Sequence, residues 1–291
     1  MKKLSLIFVL VLIAVYIALS IYLAEGVLHP SKKRLSDRDR ARAENMAQKN
    51  AATLINAEIV NKDAALRGWY FKKSNSGHAV ILFHGQADNR AGMIPYADLF
   101  LRHGYSVLSP DSRAHGESSG DSVTYGVREV VDIRKWIDWL VENQSVSEVF
   151  GMGESMGAAI LLQSVASEKR WKAIIAESAF CDFRQIASER LHGRLKHLAA
   201  PMLESSILYT RLRYGLRMDQ VSPENAVTKT AVPILLIHGM QDANIGSHHS
   251  EAITKKNGRI QLWLVVDTGH TAALGTHPRE FERRVVQFFE Q

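Results

Sequence analysis

The sequence predicts an α/β chain: a doubly wound, mostly parallel sheet with a helical cap insertion, preceded by an N-terminal transmembrane helix. Three observations predict it. Short apolar runs alternate with helical stretches from residue 52 to the C-terminus, and parallel neighbouring strands need crossovers that are usually helical. The alternation breaks once, between Ala179 and Pro223, over about 45 residues with no strand pattern. The chain also opens on 21 residues, Leu4 to Ala24, without a charge. The expected division is an anchor over 1–27, a basic linker over 28–51, and an α/β domain over 52–291 with its cap at about 179–223.

The apolar run spans roughly 30 Å as a helix, the thickness of a bilayer core. A cleaved signal peptide is the alternative, with Ala18-Leu19-Ser20 as its small-residue site. Cleavage there would leave Ile21-Tyr22-Leu23-Ala24 apolar at the new terminus, so an uncleaved anchor is expected. Lys32, Lys33, Arg34, Arg38, Arg40 and Arg42 follow the span and only Lys2 and Lys3 precede it, which would place the domain in the cytoplasm. A short Met-Lys-Lys start is also how exported chains begin, and the side of the membrane stays open.

Residues 35–50 are charged and Ala-rich, with helix-forming character and no strong apolar stripe; tight packing is not required of them. Ala52–Val60 and Ala65–Phe71 read as strands separated by the turn-like Asn61-Lys62-Asp63. His78–Phe83 is a short strand, followed by a helix from about Ala91 to Arg102. A strand at Tyr105–Ser109 precedes a long amphipathic helix within Val127–Glu142. A strand at Ser147–Met152 leads to a helix after Ser155. Trp171–Ala176 and Val232–Ile237 are further strands, Ser250–Lys256 a helix, Ile260–Val266 the last strand and Pro278–Phe289 the last helix. Within the interruption, Phe183–Leu198 and Met202–Tyr214 carry apolar residues at helical spacing. Leaving the sheet at a strand end, they suit a cap over a site; a helical connection beside the sheet is the alternative.

The chain of 291 residues is long enough for one such domain. With 46% hydrophobic and 23% charged residues it is not a disordered chain. Its net charge is +6, but residues 1–50 hold nine Lys/Arg against four Asp/Glu, which leaves about +1 for the rest. Basic charge beside an apolar run points to an anionic membrane surface and not to nucleic acid, a solvated linker being the alternative. Cys181 is the only cysteine, so no internal disulfide forms. No Cys/His cluster has metal-ligand spacing. His248 and His249 would point about 100° apart on a helix and read as a surface feature.

The strand before Gly153-Glu154-Ser155-Met156-Gly157 and the helix after it place Ser155 on a strand-to-helix turn, exposed at the sheet edge. The flanking glycines suit a turn too tight for Cβ atoms. A serine hydroxyl needs a base to take its proton and a carboxylate to orient that base. Asp242, in His238-Gly239-Met240-Gln241-Asp242, and His270, in Asp267-Thr268-Gly269-His270, each lie on the loop after a strand. The order Ser155, Asp242, His270 is nucleophile, acid, base. The oxyanion formed by attack needs N–H donors; the backbone N–H groups of Met156 and of Gln86, after the strand at Val80–Phe83, are assigned to it.

Asp267 is the alternative acid, although a place three residues before His270 suits a turn-former. Asp111 suits bracing of its own loop, and His115 and His238, each before a glycine, suit structural hydrogen bonds. Cys181 has no second base near it in sequence.

On His84-Gly85, Asp111 to Ser118, Gly153 to Gly157, His238 to Asp242 and Gly269-His270, residues 52–291 resemble the α/β-hydrolase superfamily. The nearest branch holds serine aminopeptidases, monoacylglycerol lipases and prolyl-oligopeptidase-like hydrolases, including bacterial members with an N-terminal membrane anchor. One departure is Ile245-Gly246 where the family often has Val-Pro after the acid, which would loosen that loop. The resemblance implies a serine hydrolase acting on carboxylic esters, thioesters or amides with no cofactor or metal. The expected substrate is a small-molecule or lipid-like acyl compound, cleaved in the manner of an esterase or lipase. A peptidase is the rival enzyme, a non-catalytic binding module the rival class, and dehalogenase chemistry would want an Asp in place of Ser155. Protein partners are not specified by any of these features.

Overall fold

The computed structural model describes residues 2–74, 76–191 and 196–291. Among these, eight strands follow one another: β1 (Ala52–Asn61), β2 (Ala64–Lys73), β3 (His78–Phe83), β4 (Ser106–Pro110), β5 (Glu148–Glu154), β6 (Trp171–Glu177), β7 (Ile234–Gly239) and β8 (Gln261–Val265). They join in one sheet in the order β1-β2-β4-β3-β5-β6-β7-β8. The hairpin β1–β2 and the β2–β4 pair are antiparallel; every later pair is parallel. β3 and β5 are almost wholly buried apolar runs, as strands covered on both faces must be.

The helices are α1 (Lys2–Leu28), α2 (Asp37–Lys49), α3 (Ile94–Arg102), α4 (Glu129–Gln144), α5 (Met156–Ser164), α6 (Phe183–Leu191), α7 (Lys196–Tyr214), α8 (Pro223–Ala226), α9 (His248–Lys256), α10 (Ala273–Thr276) and α11 (Pro278–Phe289). One core layer takes Ile133, Trp136 and Ile137 of α4, the apolar face of α5 and Ile253 of α9. The layer across the sheet takes Leu99 and Phe100 of α3 with Phe281, Val285 and Phe289 of α11. This is the doubly wound arrangement, and it puts the C-terminal ends of β3, β5, β7 and β8 along one edge.

Two expectations are corrected. The segment before β1 does pack: Ser36 caps α2 through a reciprocal pair with Asp39, and Ala43, Met46 and Ala47 are buried among residues of β2 and α3. Lys33 pairs with Asp88 and Arg40 with Glu117, so part of its positive charge is spent within the protein. The second helix of the cap segment starts at Lys196, not Met202, and runs through Pro201. Of the helix expected over 183–198, residues 192–195 lie outside the described residues.

Candidate active site

β5 ends at Glu154 and α5 begins at Met156, leaving Ser155 alone at the turn with φ 53° and ψ −117°. A non-glycine residue there is strained, and such strain persists only where its surroundings impose it. A Cβ on Gly153 would lie 2.7 Å from the Gly157 carbonyl, and one on Gly157 would lie 2.4 Å from the Phe83 oxygen. The first turn of α5 therefore passes too close to β5 and β3 for any side chain at either position. The Ser155 N–H donates to the Glu177 carbonyl at 2.8 Å, which fixes the turn to β6.

The structure brings the three expected side chains together. Ser155 Oγ lies 2.9 Å from His270 Nε2, and His270 Nδ1 lies 2.7 Å from Asp242 Oδ2. Burial works against the charge on Asp242, yet the His238 ring, 3.5 Å away, and hydrogen bonds from His270 and the Ile245 N–H hold its carboxyl far below the usual range. Its ionised oxygens only accept, so Nδ1 of His270 carries the proton and Nε2 is free to accept from Ser155. Asp267 is exposed and accepts from the Gln241 side chain instead. The loop after Asp242 is not loosened by Ile245-Gly246. Asp242 Oδ1 accepts from the N–H groups of Asn244 and Ile245 at 2.9 Å each, His238 Nε2 donates to the Ile245 carbonyl at 2.8 Å, and Ile245 is buried.

Gln86 and Met156 line the same cavity as Ser155. Among the described residues no protein group takes either backbone N–H. The loop carrying Gln86 is held by two buried histidines. His84 Nδ1 donates to the Gly85 carbonyl and its Nε2 accepts from the Ser112 N–H. His115 Nε2 accepts from the Ala87 N–H, and burial brings its pKa down to about 4, so it braces the loop as a neutral ring. Asp111 accepts from the N–H groups of Arg90 and Glu117 and from the Arg90 guanidinium.

A cavity of about 280 Å³ opens at Ser155. Phe180, Phe183, Ile186, Leu203 and Ile207 line it from the insertion after β6, and Leu23, Ala24, Gly26, Val27 and Leu28 line it from α1. The contribution of α1 is not visible in its hydropathy. A signal lay in Tyr16, Ser20 and Ala24, larger polar and small residues at four-residue spacing on one face of an otherwise apolar helix.

Two carboxyls behind the turn, Glu177 buried and Glu154 half-buried, also escaped the sequence. Glu177 accepts from the Tyr96 hydroxyl at 3.2 Å and from the Ala273 N–H at 3.0 Å, and burial pushes its pKa up to about 7. Burial, with the charge of Glu177, does the same to Glu154. Their signal is weak, since acids at strand ends are common.

His249 is not a surface residue. It is buried, with Nδ1 3.1 Å from Cys181 Sγ and Nε2 2.9 Å from Glu189. His248 also reaches Glu189, at 3.0 Å, and the two rings lie 4.4 Å apart because both side chains turn toward α6. Glu189, His248 and His249 could hold a divalent cation, their ligand atoms lying within 4.8 Å of one another. Hydrogen bonds between the carboxylate and both imidazoles account equally for the arrangement. Cys181 does have a base beside it, but burial pushes its thiol up to about 12, which keeps it protonated and unreactive.

Known proteins agree with this architecture. A family described as serine aminopeptidase, S33 matches residues 74–229. The Bacillus subtilis (strain 168) protein YqkD is 29% identical over 227 residues, 77% of this chain and 74% of that one. The Pyrococcus furiosus esterase Pf2001 superposes with a TM-score of 0.72 at 22% identity, covering 90% of this chain and 98% of its own. The α/β hydrolase GrgF from Penicillium sp. sh18 superposes with a TM-score of 0.66 at 19% identity, covering 82% and 98%. With a family match over more than half its length and this sheet order, the chain belongs to the serine aminopeptidase S33 family of the α/β-hydrolase superfamily.

Proposed function

We propose that the protein is a serine hydrolase that cleaves carboxylic esters of apolar acyl groups through an acyl-enzyme on Ser155, at a membrane to which α1 anchors it. The observation that carries this is the unbroken line from Ser155 Oγ through His270 to Asp242, with an apolar cavity opening at the hydroxyl. Ser155 Oγ attacks the ester carbonyl carbon while its proton passes to His270 Nε2. The carbonyl π electrons move onto oxygen, and the N–H groups of Met156 and Gln86 receive that oxyanion. As the tetrahedral species collapses, the C–O bond to the leaving alcohol breaks and His270 returns the proton to that oxygen. Water, losing a proton to His270, then releases the acid and restores Ser155.

The cavity lining favours an ester over the aminopeptidase alternative. Among the described residues it includes no Asp or Glu, and the charged residue it holds there is Arg190. A substrate with a free α-ammonium group would meet a cation and an apolar wall, with no carboxylate to pair with it. A span of 24 residues, Ser5–Leu28, apolar for most of its length and with Glu25 as its one charged residue, supports the anchor by length and composition.

A fluorophosphonate should label the folded protein at Ser155, located by mass spectrometry, and Ser155→Ala should remove the label. A folded protein that takes no label at Ser155 contradicts the proposal. A series of p-nitrophenyl esters set against aminoacyl amides separates esterase from peptidase.

A further inference from the structure

From Tyr16 onward, one face of α1 docks on α7. The Tyr16 hydroxyl lies 2.8 Å from Ser205 Oγ, and Ser206 Oγ donates to the Ser20 carbonyl at 2.9 Å. The hydroxyls of Tyr209 and Tyr214 both donate to Glu25 Oε1, at 2.5 and 2.7 Å. The last turn is also fastened to the body of the domain. The Tyr125 hydroxyl donates to the Val27 carbonyl at 3.0 Å, and the Val123 N–H to the Leu28 carbonyl at 2.9 Å. A plain tether needs none of these bonds.

The docked turns are also a boundary of the cavity, where Leu23, Gly26, Val27 and Leu28 face the space that holds Ser155. A Cβ built on Gly26 meets no atom within 4 Å, so open space adjoins that position. Exposed apolar surface continues from Leu6 to Leu19 of α1 onto Tyr22, Leu208 and Leu212, the last two on α7. At 1.5 Å per residue about 20 residues cross a hydrocarbon core of about 30 Å. With Ser5 at one surface of the bilayer, Ala24 reaches the other, and the cavity wall stands at headgroup depth.

We infer that the last turns of α1 are a wall of the acyl site as well as a tether. The substrate is then a long-chain carboxylic ester lipid drawn sideways from the bilayer into the cavity beside α1 and α7, with Gly26 leaving room for its chain. This rests on Ser155 being the nucleophile.

The test uses the full chain reconstituted in phosphatidylcholine vesicles. Two probes are compared, p-nitrophenyl palmitate carried in the vesicles and p-nitrophenyl acetate in the aqueous phase. Gly26→Ala, Gly26→Leu and Gly26→Phe fill the wall progressively, and each new residue favours helix more than glycine does. The ratio of kcat/KM for palmitate over acetate should fall in that order, by on the order of tenfold or more for Gly26→Phe. Fluorophosphonate labelling of Ser155 reports that each variant is folded. A ratio that does not move in labelled variants overturns the inference, as does an equal loss on both esters. Failure to label Ser155 in the folded parent chain overturns the underlying reading instead.

Discussion

Nδ1 of His270 lies 2.7 Å from Oδ2 of Asp242, a carboxylate with no exposed side-chain surface. A buried acceptor in that position fixes the imidazole tautomer and, in the proposed reaction, would stabilise the imidazolium formed as Ser155 gave up its proton. Asp242→Asn should therefore lower kcat on a p-nitrophenyl ester by on the order of 10³ to 10⁴. Asp267→Asn, which alters an exposed side chain on the loop that carries His270, should leave most activity in place. If the two variants exchange these results, Asp267 is the acid.

Gly157 separates α5 from the end of β3 by less than a methyl group. Gly157→Ala places a Cβ 2.4 Å from the Phe83 oxygen, and neither backbone has a flexible end that can yield. Overpacking of this kind costs about 1–3 kcal/mol, so the melting temperature should fall by about 2–12 °C. Gly258→Ala, where nothing lies within 4 Å, is the matched control and should melt close to the parent.

Glu177 couples stability to pH. Its carboxyl is held up to about 7 in the fold, chiefly by burial, against 4.5 unperturbed. The folded state thus binds the proton more tightly than the unfolded chain does. The resulting stability is complete below about pH 4.5 and is lost as pH rises through about 7. Glu177→Gln, uncharged at every pH, should raise the unfolding free energy from urea titration at pH 8 relative to the parent, by on the order of 3 kcal/mol at most, with the difference shrinking toward pH 5. A pH-independent difference would remove the carboxyl as its cause.

Arg90 and Asp111 form a buried pair at 2.7 Å behind the loop that carries Gln86, with Glu117 on the second arm of the guanidinium. Arg90→Leu leaves Asp111 buried without its cation and should cost about 3–5 kcal/mol. Arg90→Leu combined with Asp111→Asn should cost less than the first change alone, because no uncompensated charge remains. Chemical denaturation of the three proteins measures the difference.

Residues 78–83 and 278–289 read from the sequence as the strand and helix that the structure contains, β3 and α11. The first is a short unbroken apolar run and the second carries a helical apolar spacing, each between clear stops. Ser155, Asp242 and His270 were legible for a related reason: each follows a strand in an α/β alternation, and the C-terminal strand ends of such a sheet share one edge. α2 was misjudged because its buried Ala43, Met46 and Ala47 form a stripe of three among charges, too narrow to stand out. His249 was misjudged because helical spacing says nothing of a partner 60 residues away on α6.

The sequence by itself determined the alternation that builds the sheet, the tight turn at Ser155, the order of its partners and an apolar helix of membrane length. These are local properties, set by periodicity, by turn sterics and by position after a strand. Only the tertiary structure decided that α1 folds back on α7, through contacts such as Tyr16 with Ser205, 189 residues apart, and so closes the cavity at Ser155. Contacts at that separation depend on how packed faces meet after the loops close, and no pattern within a single segment encodes that meeting.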